Sequence, residues 1–319
     1  MSVHHMTRRG MLKGTLAAAA VVNYSAAAAF LSTYGPAPLD SPQPYDGELP
    51  RASPPPGMAA FHISTGFNHR TAAFGYRGGP FSDQRDFAST AVLVTHPRGD
   101  LLIDTGLGRQ IDAQFHLLPA SLQALTQYRK LGAAADQLDA VGYDPAALRG
   151  LLLTHAHWDH SSGVADFPGV PVLLPQSERD FIAAGGAFTQ FISATPNVNY
   201  QVYDFEDGPY LGFSRSHDVY GDGALVVVPA PGHTPGSVIA FMTLPDNRRF
   251  ALVGDLAWQR EGITQLEERP WLARLQDDID PGQVRDNLLR MYAVAQRLPD
   301  MILAPAHDAR GFANLPLLS

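Results

Sequence analysis

The 319-residue chain contains no cysteine. Disulfides, thiolate zinc ligands and a cysteine nucleophile are all excluded by that absence. It does not fix a compartment, because an exported protein can fold without disulfides. Positive charge is also scarce. Lys and Arg number 23 against 31 Asp and Glu, a formal net charge of −8. That balance argues against nucleic acid as the main partner. No apolar run is long enough for a permanent membrane span, and the nearest candidate, residues 14–30, is interrupted by Asn23, Tyr24 and Ser25. Gly106-Leu107-Gly108 lacks the later glycine of a GxGxxG nucleotide loop. There is no coiled-coil heptad pattern. What remains is a chain that is 45% hydrophobic, enough for a real core in one large domain or two smaller ones.

One hexapeptide organises the rest: His155-Ala156-His157-Trp158-Asp159-His160, an HxHxDH pattern. It directly follows Leu151-Leu152-Leu153-Thr154, an apolar run of strand length that begins at Gly150. Side chains alternate along an extended segment, so His155, His157 and Asp159 are expected on one side, with His160 arriving after a turn. Packing these polar groups behind a hydrophobic strand is costly unless they bind something. Three imidazoles and a carboxylate exceed what one tetrahedral zinc usually takes from a single loop. Two adjacent metals, with further ligands from elsewhere, are the physical solution.

Candidates for those further ligands recur just past other strand-like runs. Leu225 to Val228 leads to Pro231-Gly232-His233-Thr234-Pro235-Gly236-Ser237. Leu252-Val253-Gly254-Asp255 ends a second run, and Met301 to Ala304 leads through Pro305 and Ala306 to His307-Asp308. HxHxDH followed by His, Asp and His in this order resembles the metallo-β-lactamase superfamily, over roughly residues 59–319. The resemblance implies an α/β fold, a four-layer αβ/βα sandwich of two mixed β-sheets with metals at one edge. It implies that His155, His157 and His233 hold one metal, that Asp159, His160 and His307 hold a second, and that Asp255 bridges them. A hydroxide held between the metals would then attack a carbonyl or phosphoryl centre, with Asp159 steering a proton to the leaving group. An all-N/O ligand set suits Zn2+ and also permits Fe, Mn or Co.

The same resemblance gives roles to two more residues. Asp104, in Leu102-Ile103-Asp104-Thr105-Gly106, is a candidate to orient a histidine ligand by its far nitrogen; a turn-capping role fits equally. In the acyl-homoserine-lactonase branch a tyrosine stands three residues after the bridging Asp. Trp258 occupies that place here, so that helper is absent or moved and Trp258 is a candidate substrate contact. The bridging Asp argues against β-lactams, and the acidic charge against a tRNA-processing nuclease. A small-molecule ester or lactone is expected, with a phosphotriester or thioester as alternatives. A mononuclear iron persulfide-type dioxygenase, or a binding module without turnover, would use part of the same set.

Elsewhere the pattern is coarser. Residues 91–95 and 101–104 read as a hairpin turned at Pro97-Arg98-Gly99-Asp100. Helices are expected over 117–131, 145–149, 177–184 and 281–298, the second beginning at Pro145 and the third capped by Ser177. Another should follow His160, capped by Ser161 or Ser162. In the last helix Leu288, Leu289, Met291, Tyr292 and Val294 suit core contacts. His62, Asn68 and His69 read as structural or surface residues, with the lining of a pocket mouth as the alternative. Residues 185–222 are rich in aromatics, including Phe188, Phe191 and Tyr203, and read as part of a substrate pocket wall or cap.

At the N-terminus, Thr7-Arg8-Arg9-Gly10-Met11-Leu12-Lys13 resembles a twin-arginine export signal and precedes an Ala-rich segment. Residues 1–29 are expected to be this signal, with cleavage near Phe30 and a periplasmic destination. Its removal would take the net charge from −8 to −11, because it carries Arg8, Arg9 and Lys13. Residues 30–58 hold eight prolines, from Pro36 to Pro56, and read as an extended tether or strap. Residues 59–319 then form the hydrolase domain.

Overall fold

The computed structural model describes residues 28–318; the Arg8-Arg9 motif and the segment through residue 27 lie outside them. The described residues form two mixed sheets. The seven-stranded sheet is built from β1 (Ala59–Thr71), β2 (Gln84–Thr95), β3 (Asp100–Ile103), β4 (Arg129–Lys130), β5 (Leu148–Leu152), β6 (Val172–Pro175) and β7 (Tyr200–Tyr203), in the order β4-β1-β2-β3-β5-β6-β7. The second contains β8 (His217–Asp218), β9 (Leu225–Pro229), β10 (Val238–Thr243), β11 (Arg249–Gly254) and β12 (Ile302–Pro305), in the order β12-β11-β10-β9-β8. The expected hairpin is present, with Val92, Leu93 and Val94 paired to Ile103, Leu102 and Leu101.

The layering follows from strands that are apolar on both faces. Val92, Val94, Leu101 and Ile103 point into a core shared with Val238, Ala240 and Met242 of the other sheet. The intervening Leu93 and Leu102 pack outward with Ala134, Leu138 and Ile182 of flanking helices. On the far side, Ile239 and Phe241 pack against Val284, Leu288, Met291 and Val294 of the helix Pro281–Arg297. Each fully buried side chain of this kind contributes about 1.5–3 kcal/mol relative to exposure. The result is the four-layer αβ/βα sandwich.

Several local expectations are corrected. The helical spacing over 117–131 yields only Ala120–Leu125, because Arg129 and Lys130 are drawn into β4 beside β1. Pro145 opens a 3-10 turn, Pro145–Ala147, capped by the Asp144 carboxylate. The helix after the hexapeptide starts inside it, at Trp158, and uses neither Ser161 nor Ser162 as a side-chain cap. Ser177 is likewise not a cap, since it lies inside the helix Gln176–Ala184, whose N-cap position is Pro175. In Pro281–Arg297 the cap is Asp280, which accepts from Gly282 N and Gln283 N at 2.9 and 3.1 Å. Leu289 and Tyr292 of that helix are half-buried, unlike Leu288, Met291 and Val294.

The proline-rich residues lie across the sandwich as a strap. Ala37 N donates to Glu267 Oε2 at 2.9 Å, Leu39 N to Leu266 O at 2.9 Å and Ser53 N to Asp222 O at 2.8 Å. A short helix over residues 28–34 precedes it.

Candidate metal centre

Five strand ends deliver the chemistry to one edge of the sandwich. β5 is buried through Leu153, and the chain then turns at Thr154. Its N–H and hydroxyl both donate to the Asp104 carboxylate, at 2.7 and 2.8 Å. Asp104 follows β3 in the left-handed region, at φ +53°. Thr154 O in turn accepts from Val238 N at 3.0 Å, joining the two sheets at this point. The extended segment ends at His157. His155 and His157 therefore share a direction, while Asp159 and His160 arrive on the helix Trp158–Ser161. Placing Asp159 beside the first two histidines is thus corrected: the turn into helix carries it to the other side of the cluster.

The second sheet supplies the rest. Gly254 ends β11 at φ +53°, and a Cβ there would lie 3.0 Å from the Thr154 Cβ, so glycine is what lets Asp255 turn inward against β5. Gly232 at φ +136° plays the same part before His233; a Cβ there would sit 2.6 Å from Val284 N. His307 follows β12, anchored by Ala306 N donating to Gly254 O at 3.1 Å. Asp308 caps the next helix, Ala309–Phe312, by accepting from Arg310 N.

The seven residues converge in three overlapping groups: His155, His157 and His233; His155, His160 and Asp255; Asp159, His160 and His307. Within each, candidate ligand atoms lie inside 4.8 Å of one another. Asp255 is central. Its Oδ1 is 3.3 Å from His160 Nε2, and its Oδ2 is 3.4 and 3.2 Å from the Nε2 atoms of His233 and His307. His155 Nε2, His160 Nε2, His233 Nε2 and Asp255 Oδ1 are all buried without a hydrogen-bond partner. Four orphaned polar atoms at one point would be strongly destabilising in a site meant to stay dry and empty. A divalent cation satisfies all of them at once, so the donor set fits a metal.

For three of the five histidines, the partner on the far side of the ring explains why Nε2 faces the centre. His160 Nδ1 pairs with Asp104 Oδ2 at 2.8 Å, His233 Nδ1 with Asp278 Oδ1 at 3.0 Å and His307 Nδ1 with Ala88 O at 2.7 Å. Asp104 thus both holds a histidine and pins the Thr154 turn. Burial, with His160 and His157 close by, keeps the His155 imidazole well below its usual pKa; burial and His233 do the same for His157. Both are then neutral, the form that binds metal. Burial would raise Asp255, but His307 and His160 outweigh it and hold this carboxyl well below the carboxylate range.

Three buried residues of the site had no sequence signal. Asp278 holds His233 and is itself bonded by the Arg269 guanidinium. Arg269 also donates to Asp255 O at 2.5 Å and lies over the Trp258 ring. Its segment is dense in charge, yet Glu267, Glu268 and Arg269 are all buried. Glu178 is the third, in a helix whose sequence looks ordinary.

Above the cluster opens a cavity of about 340 Å³. His157, Asp159, His233, Asp255 and His307 reach it from below, and Phe74, Phe87, Trp258, Phe188 and Leu272 form apolar walls. Trp258 stacks on Phe74 with ring centroids 5.4 Å apart, and its Nε1 donates to Asp255 Oδ2 at 2.9 Å. The expectation that residues 185–222 supply an aromatic wall holds for Phe188, stacked on His157 at 4.6 Å. Phe191, Tyr203, Phe213 and Tyr220 are instead buried in packing. Asn68, expected to be structural or surface, lines the cavity together with Arg70 and Asp277. His62 is structural, bonded to Leu315 O at 2.9 Å, and His69 pairs with Asp86 on the surface.

Known proteins are similar to this chain in sequence and in fold. The N-acyl homoserine lactonase AttM of Agrobacterium fabrum is 27% identical over 229 residues, covering 70% of this chain and 82% of that one. A protein of Mycobacterium tuberculosis described as a probable metallo-hydrolase is 30% identical over 243 residues, 68% of this chain and 73% of the relative. Among solved structures, an N-acyl homoserine lactone hydrolase with N-hexanoyl-L-homoserine at its catalytic metal centre superposes with a TM-score of 0.64. It is 17% identical, and the match covers 81% of this chain and 96% of that one. Residues 85–307, from Arg85 on β2 to His307, match the metallo-beta-lactamase superfamily. With two mixed sheets, helices on both outer faces and the His/Asp cluster at their edge, the chain belongs to the metallo-β-lactamase superfamily.

Proposed function

We propose that this metal-dependent hydrolase binds two zinc ions and opens a small lactone or ester that carries an apolar group. The observation that carries the proposal is the set of four buried, partnerless ligand atoms facing one another beneath an apolar cavity. His155, His157 and His233 would hold one ion, and Asp159, His160 and His307 the other. Asp255 would serve both, since its carboxylate lies within 3.4 Å of His233 in the first set and within 3.3 Å of His160 and His307 in the second. Such a pair supplies a water activated near neutral pH and a Lewis acid for the scissile carbonyl.

The remaining work falls to the protein. Trp258 fixes the rotation of Asp255 through its indole N–H. Asp159 faces the cavity and is placed to pass a proton to the leaving oxygen at its carboxylate. Phe74, Phe87 and Phe188 exclude water and favour an apolar substituent. The lactonase relatives make N-acyl homoserine lactones the first substrates to test.

Elemental analysis should find about two zinc ions per chain. Turnover of a panel of lactones, aryl esters, thioesters and organophosphates should be highest among lactones or aryl esters. Oxygen consumption with a single iron per chain would overturn the proposal in favour of dioxygenase chemistry.

A further inference from the structure

Glu178 is fully buried, with 0% of its surface exposed. One carboxylate oxygen accepts from Ala156 N at 2.6 Å. The other accepts from Thr234 Oγ1 at 2.7 Å and from Gly236 N at 2.9 Å. Ala156 stands between His155 and His157, and Thr234 follows His233. A single carboxyl from the helix Gln176–Ala184 therefore ties together the two loops that carry the three-histidine group. These loops leave different sheets, one after β5 and the other after β9.

The contact is built closely. A Cβ on Gly236 would overlap the Glu178 backbone, so glycine at that position admits the loop to the carboxyl. Thr234 is held in register by Ser237, whose Oγ lies 2.7 Å from Thr234 Oγ1 and accepts from Thr234 N at 3.0 Å. Burial pushes the Glu178 carboxyl up to about 7, against three hydrogen bonds that pull it down. A buried acid at such a cost calls for a function that an apolar residue of similar size could not perform.

We propose that Glu178 is a positioning residue that sets the distance between His155/His157 and His233, and through it the occupancy of the three-histidine metal position. It does so through backbone and hydroxyl donors beside the ligands, and it touches neither metal nor substrate. The proposal rests on the two-metal reading of the site. It separates the two positions, because Asp159, His160 and His307 are not among the partners of Glu178.

The test is Glu178→Gln in the full chain. Glutamine keeps the volume but turns one acceptor into a donor, so either Ala156 N or Gly236 N loses its acceptor. Zinc retained after dialysis against a chelator should fall from about two per chain to about one. The visible spectrum of the cobalt-substituted protein should lose the contribution of one of its two sites. A variant that keeps both zinc ions and an unchanged cobalt spectrum overturns the proposal. So does one that loses both ions, since that reports a general loss of structure. If Glu178→Gln fails to fold, Thr234→Val removes the hydroxyl bond to Glu178, together with the hydroxyl contact to Ser237 Oγ, at nearly constant shape. It should weaken one of two zinc affinities by about 10- to 100-fold, and unchanged affinities overturn the proposal. Wild-type protein that binds fewer than two ions would instead overturn the two-metal reading.

Discussion

The indole Nε1 of Trp258 donates across 2.9 Å to Oδ2 of Asp255, three residues earlier in the chain. The tyrosine of the lactonase branch gives way here to a residue that faces the central carboxylate while its ring lines the cavity. Trp258→Phe keeps most of the ring and removes the donor. We expect both metals to remain and kcat/KM to fall about 10-fold, within the range seen when a partner of a metal ligand is removed. Steady-state kinetics with metal analysis on the same sample checks this; an unchanged kcat/KM would show that the bond has no part in turnover.

His157 belongs to the three-histidine group alone among the clusters described, whereas Asp255 is placed to serve both positions. His157→Ala is expected to retain about one metal and to lose at least about 100-fold in activity, while Asp255→Ala should retain neither ion firmly. Equal metal loss in the two variants would contradict the central placement of Asp255.

An ion-pair network behind the site should make stability fall in acid. Glu261 Oε1 lies 3.0 Å from Arg85 Nη1, and its Oε2 lies 2.7 Å from Arg310 Nη2. Burial would raise Glu261, but the bonds from Arg310 and Arg85 prevail and hold it below its ordinary range. A carboxyl depressed in the folded state stabilises above its unfolded pKa, and that contribution is lost as pH falls through the folded value. Metal-free wild type should therefore be more stable than metal-free Glu261→Gln at pH 7, and the two urea midpoints should converge below about pH 4. A gap that stays constant with pH would rule out this linkage.

The Arg8-Arg9 pair carries a proposal of twin-arginine export. Replacing both with lysine should leave the protein in the cytoplasm of a fractionated bacterial cell, because a receptor reads the pair rather than its charge. Undiminished export of the double variant Arg8→Lys, Arg9→Lys would count against it.

The hexapeptide, His233, Asp255 and His307 could be read as one candidate set because each stands within four residues of a strand end, and strand composition is a local property. The same locality made the β2–β3 hairpin and the core face of Pro281–Arg297 readable. Strand alternation put Asp159 on the side of His155 and His157, but the extended segment stops at His157, where the chain enters a helix; its grouping with His160 and His307 is the one the structure shows. The pocket wall was legible only in part, through Phe188, for a different reason. Aromatics are conspicuous over 185–222, yet most of them fill packing gaps, and the cavity draws on Asn68 and Phe74, near the end of β1.

The amino-acid order alone determined which atoms can bind metal and which strands are buried on both faces, since ligand chemistry and side-chain alternation need no distant partner. Only the tertiary structure decided how those ligands are held. Asp278 reaches His233 from 45 positions away, and Glu178 reaches Thr234 from 56. A single buried acid leaves no periodic trace in a sequence; its meaning appears only when folding brings it to a neighbour that would otherwise be unpaired.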